Sequence, residues 1–86
     1  MKKILYLHGL ESNQGGDKVD YLSSKYIVHA PKLDYKDPKC FNNIFWLIEE
    51  GDFDLIIGSS MGGYLALTMG EVFELPTILF NPALHS

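Results

Sequence analysis

The sequence predicts an α/β domain with a mostly parallel sheet. Three observations carry that reading. Short apolar runs alternate with helix-like segments along the chain. The runs are uninterrupted, as in strands buried on both faces. A glycine-rich corner, Gly58-Ser59-Ser60-Met61-Gly62-Gly63, follows the third run and opens a helix-like segment.

Ile4–Leu7 is the first strand, ended by His8-Gly9, and a polar loop follows from Glu11 to Gly16. Asp17 can cap a short helix to about Lys25, with Val19 and Leu22 facing inward. Tyr26-Ile27-Val28 is the second strand, ended by Ala30-Pro31. Asp37-Pro38 starts the second helix, with the cap at Asp37 and Pro38 at the first helical position. Phe41, Ile44, Phe45 and Ile48 recur at i, i+3, i+4 and i+7, a single buried stripe, and Trp46 is read as core beside them. Gly51 ends that helix.

Leu55–Ile57 is the third strand, and Met61 to about Glu74 the third helix. That helix is apolar nearly all round, so it is expected to be central and covered. Thr77–Phe80 is the fourth strand, stopped by Asn81-Pro82. Alternation of this kind gives a parallel sheet of about four strands with helices on both faces, a three-layer α/β/α fold, in one domain spanning 1–86. Right-handed crossovers favour a spatial order with the second strand outermost, then the first, third and fourth. The switch point then falls between the first and third strands, where ligands bind at the carboxyl ends. The His8-Gly9 loop and the Ser60 corner both lie there.

Composition narrows the function. The net charge of -4 argues against nucleic-acid binding, which needs clustered Lys and Arg. The single cysteine, Cys40, permits no internal disulfide, and His8, His29 and His85 lack ligand spacing, so neither a metal nor another cofactor is expected. The apolar run after Met1-Lys2-Lys3 is too short for a signal peptide. No stretch approaches the roughly 20 apolar residues of a membrane span, and the chain reads as soluble and cytoplasmic. Gly9 to Lys18 misses the spacing of a phosphate-binding loop, with Asp17 where its lysine belongs. Cys40 is read as packing.

Gly58-Ser59-Ser60-Met61-Gly62 fits G-x-S-x-G, in which a serine sits on a sharp strand-to-helix turn and only small residues fit around it. A helix N-terminus supplies free N–H groups and a positive dipole end for a developing oxyanion. The Met61 N–H is the first expected donor and the Leu10 N–H, on the loop after the first strand, the second. Tyr64 is placed to pack beside the corner.

The stretches "ILYLHGLESN", "APKLDY", "IIGSSMGGYLA" and "LPTILFNPAL" resemble the N-terminal half of an α/β-hydrolase. They are most similar to the YqiA-like family of small bacterial esterases, and the resemblance covers essentially the whole chain. It implies Ser60 as nucleophile, the Met61 and Leu10 amides as oxyanion hole, and hydrolysis of a small ester or thioester through an acyl-enzyme, without a cofactor. The departures from the pattern are as informative. The triad order there is Ser, then Asp or Glu, then His. After Ser60 this sequence has no Asp, only Glu71 and Glu74 as acids, and only His85 as histidine. His8 and His85 are the candidate bases at the correct sheet end. The chain therefore reads as a truncated hydrolase core. The alternative is a non-catalytic half-fold that pairs with another chain, or with itself through the exposed edge of its fourth strand.

Overall fold

The computed structural model describes residues 2–9, 17–59 and 61–80, with the side chains of 17–19 outside the description. Seven elements alternate: β1 (Lys3–Leu7), α1 (Asp17–Ser23), β2 (Ile27–His29), α2 (Cys40–Gly51), β3 (Leu55–Ser59), α3 (Met61–Phe73) and β4 (Thr77–Phe80). The strands form one parallel sheet in the order β2-β1-β3-β4, as the crossover rule predicts. Leu7 lies opposite Gly58 in the register, so the ends of β1 and β3 are neighbours.

Alternation along the strands divides the core. Leu5, Leu7 and Ile56 face Ile44 and Ile48 of α2 and Ala66 and Met69 of α3, with Leu33 and Phe53 closing the same cluster. Ile4, Tyr6 and Ile57 point the other way, toward Leu22 of α1 and Val28. Val19, expected to face inward with Leu22, is among the side chains outside the description.

Several local expectations are corrected. α1 starts at Asp17 rather than being capped by it and ends at Ser23, where Tyr26 N–H donates to Leu22 O at 2.8 Å. β2 lies one residue later than expected, so His29 ends the strand and is exposed. α2 starts at Cys40, because the residues after Asp37 form a turn: the Asp37 carboxylate accepts the Lys39 N–H at 2.9 Å, and Asp37 O accepts the Cys40 N–H at 3.0 Å. The cap chemistry of Asp37 is real, but it closes this turn.

α2 ends at Gly51, as expected, and Asp52 takes the left-handed conformation, with φ of 55°. Gly51 is small for another reason: a Cβ there would run into the Phe53 ring. Glu74 likewise has φ of 54°, and Leu75 N–H bonds back to Gly70 O at 2.9 Å, a Schellman closure of α3 without a glycine.

The apolar stripes are covered less than their periodicity suggested. Ile44 and Ile48 are buried, whereas Phe41 is 46% and Trp46 59% exposed. α3 is not covered all round. Gly62, Gly63, Ala66, Met69 and Gly70 face inward, while Leu67 and Val72 are exposed. No helix among the described residues is long and apolar enough to cross a membrane.

Candidate functional site at the carboxyl ends of β1 and β3

Two corners meet at this end of the sheet. At the first, β1 runs into His8, which is 3% exposed. Its Nε2 accepts the Leu33 N–H at 2.8 Å, so the ring proton sits on Nδ1, which donates to Gly9 O at 2.7 Å. Tyr35 OH donates to His8 O at 2.6 Å, and the Tyr35 ring meets the imidazole edge-on at 6.4 Å between centroids. The segment after β2 is thereby tied to the end of β1 through both the side chain and the backbone of His8.

At the second corner, Ser59 ends β3, 8% exposed, and Met61 begins α3. Two glycines set this geometry. A Cβ at Gly58 would run into Gly62 O and come within 2.6 Å of the Ala66 Cβ, so the strand end lies against the first turns of α3. A Cβ at Gly62 would strike Leu7 O and lie 2.7 Å from His8 O. The first turn of α3 thus rests directly on the carbonyls that end β1. Small residues flank a strand-to-helix corner for this steric reason.

Met61 and His8 are brought to one end of the sheet. Ser60, Leu10 and His85 lie outside the described residues. Both ring nitrogens of His8 are engaged by backbone groups, so in this arrangement it offers no free lone pair to a hydroxyl. His29, at the end of the outer strand, packs its ring against Phe53 at 6.1 Å between centroids.

Sequence reasoning missed Tyr35 and Leu33, although both fall in the quoted "APKLDY". No spacing signal marks them, because their partner, His8, is 25 or more residues away. Burial pushes the Tyr35 phenol up to about 12, with Cys40 adding to the rise. Burial also raises the Cys40 thiol; a backbone hydrogen bond at Asp34 opposes this, while the charges of Asp37 and Asp34 add to it. The thiol therefore stays protonated near neutral pH and is not an activated nucleophile. Among the described residues, no group of three His, Cys, Asp or Glu side chains could hold a metal ion.

A cavity of about 370 Å³ opens beside the second corner, between the N-terminal turns of α2 and α3, with Tyr35, Phe41, Met61, Tyr64 and Leu65 among its walls.

The molecule is thus a parallel α/β protein with a glycine-packed strand-to-helix corner at its topological switch point. Residues 3–86 match the model of UPF0227, described as an uncharacterised protein family, and the chain belongs to that family. It is 30% identical over 93 aligned residues to the UPF0227 protein YcfP of Salmonella arizonae, covering 94% of this chain and 51% of the relative. A UPF0227 protein of Citrobacter koseri matches with the same identity and coverage. The chain spans about half the length of these curated relatives. No solved structure matches it with significance.

Proposed function

We propose that this chain carries the nucleophile half of a serine esterase or thioesterase of α/β-hydrolase type. Ser60 is the nucleophile, and the Met61 and Leu10 N–H groups are the oxyanion donors. The observation that carries this reading is the Gly58/Gly62 corner, which seats the N-terminus of α3 on the Leu7 and His8 carbonyls. Met61, the residue after Ser60, opens a 13-residue helix whose first turn offers free N–H groups at this end of the sheet. Ser60 Oγ attacks the acyl carbon, the alcohol or thiol departs, and water then hydrolyses the acyl-serine. The proton leaving Oγ needs a base. His8 is committed to holding the Leu33 and Gly9 backbone, and its role in this reading is positioning. We assign the base and its acid to the part of the family that this chain does not span.

The expected outcome is near-background turnover of a p-nitrophenyl ester by the 86-residue protein. Loss of triad members in one serine protease leaves roughly 10³–10⁴ over water, from the oxyanion hole and binding alone. Fast turnover that Ser60→Ala abolishes would show that this chain completes the triad itself, and would overturn the assignment of the base elsewhere.

A second reading rests on a different observation. Ile78 pairs with buried Ile57 in the register, yet it is 43% exposed, and Leu67 on α3 is 45% exposed. Apolar surface at the β4 side suits an assembly module that adds a further chain, or a second copy, at that edge. Size-exclusion chromatography and a fluorophosphonate probe, with imidazole supplied as external base, separate the two readings: a monomer labelled at Ser60 supports the esterase, and an unlabelled strict dimer supports the module.

A further inference from the structure

We infer that the groove between the N-terminal turns of α2 and α3 receives the neutral, apolar acyl chain of the substrate. This rests on the esterase reading and adds the class of acyl group to it. The groove begins at Met61, the residue after the nucleophile, whose N–H is the assigned oxyanion donor. A chain seated there has its carbonyl end at the corner and its tail running between the two helices.

The lining supports an aliphatic or aromatic occupant. Phe41, Met61, Tyr64 and Leu65 supply apolar surface, and Phe41 and Met61 are 46% and 37% exposed. Phe41 was expected in the core stripe of α2. Its exposure at the start of that helix is what gives the groove one wall. The polar groups of the lining are largely neutral or occupied. Tyr35 spends its hydroxyl on His8 O, the Cys40 thiol stays protonated, and Thr68 Oγ1 donates to Tyr64 O at 3.0 Å. Asp37 is the one charged residue among the described lining residues. An acidic rim disfavours a carboxylate, so the site holds a neutral ester better than the free acid that hydrolysis releases. A volume of about 370 Å³ falls at the small end of ligand pockets, roughly 300–1,000 Å³. That suits a short or medium acyl chain.

Alkyl methyl ketones test this, because they are neutral ester isosteres that cannot be cleaved. 2-Butanone, 2-hexanone and 2-octanone are titrated into the full 86-residue chain, followed by NMR at Met61, Leu65, Thr68 and Phe41. Affinity is expected to rise roughly fourfold per added methylene until the groove is full. 2-Octanone is expected to bind more tightly than octanoate. Thr68→Trp, an exposed helix position on the groove, should weaken 2-octanone at least about tenfold, on the scale of two or more lost methylene contacts. Shifts confined to the Ile78 and Leu67 surface, or an affinity independent of chain length, overturn the inference while Ser60 labelling keeps the esterase reading. Ketone binding in the groove without any Ser60 labelling by a fluorophosphonate, imidazole being supplied as external base, overturns the esterase reading, and the acyl assignment falls with it. The chain-length series is read on the unmodified protein, so the inference does not depend on the variant folding.

Discussion

The carboxyl ends of β1 and β3 lie side by side, yet they are secured by opposite means. The β1 end is held by polar groups: His8 receives the Leu33 N–H and donates to Gly9 O, and Tyr35 bonds to the His8 carbonyl. The β3 end is held by the absence of side chains. Gly58 and Gly62 let a strand, a helix and the neighbouring strand's carbonyls come within contact of one another. A polar network loses stability in steps as its members are removed. A steric fit fails at once when a single methyl group is added. The corner that carries the proposed nucleophile is of the second kind, and it uses the first as its floor.

That difference predicts a hierarchy of effects. The largest belongs to Gly62→Ala, whose methyl group must displace backbone of β1 rather than a flexible side chain. The expected loss is at least about 3 kcal/mol, the upper part of the range for overpacking. In a domain of this size that lowers Tm by more than about 10 °C, as thermal denaturation followed by circular dichroism would read. A loss under 0.5 kcal/mol would mean that the corner is held some other way.

Next comes His8→Ala, which leaves the buried Leu33 N–H unpaired and opens a void. It should cost about 2–4 kcal/mol in urea unfolding. Tyr35→Phe removes one hydrogen bond and little volume, for a loss of about 1 kcal/mol. Its pH dependence sharpens the assignment. The phenol is raised from its ordinary 10 to about 12, so the fold favours the protonated form. The Tyr35 contribution is therefore complete below pH 10 and lost as pH rises from 10 toward 12. The stability gap between the wild type and Tyr35→Phe should shrink across that window. A gap that widened would contradict the burial of the phenol.

The smallest expected effect lies away from both corners and has the opposite sign. Glu74 is exposed and left-handed at the end of α3. Glu74→Gly relieves that conformation and should stabilise the protein by up to about 1 kcal/mol. It serves as a control that the large losses at Gly62 and His8 are not general sensitivity to substitution.

The same contrast explains what the sequence disclosed. Strand order followed from the alternation of elements and the handedness of crossovers, both of which are local or general. The corner was legible because Gly58 and Gly62 are separated by only three residues, so their joint steric role leaves a pattern. The His8–Leu33–Tyr35 network was not legible, because it joins two loops through contacts that no spacing encodes. Helix ends were misjudged where tertiary packing overrode propensity. Gly51 does end α2, but it is small to clear Phe53, and the left-handed turn falls on Asp52. Phe41 and Trp46 fit a helical stripe by period, yet the sheet covers only the Ile44 and Ile48 part of it. The groove at Phe41 exists because two helix starts converge, which is a property of the fold and not of either segment.

The central claim is that this corner presents Ser60, and not its neighbour Ser59, as a nucleophile. Ser59 is buried at the end of β3 and pairs with Phe80 in the sheet register. The direct test is incubation of the purified chain with a fluorophosphonate, with imidazole supplied as the external base that this chain lacks, followed by peptide mass mapping. The account predicts a single adduct on Ser60, absent from Ser60→Ala, with Ser59 unmodified. No adduct, or adducts spread over several serines and undiminished in Ser60→Ala, would contradict it.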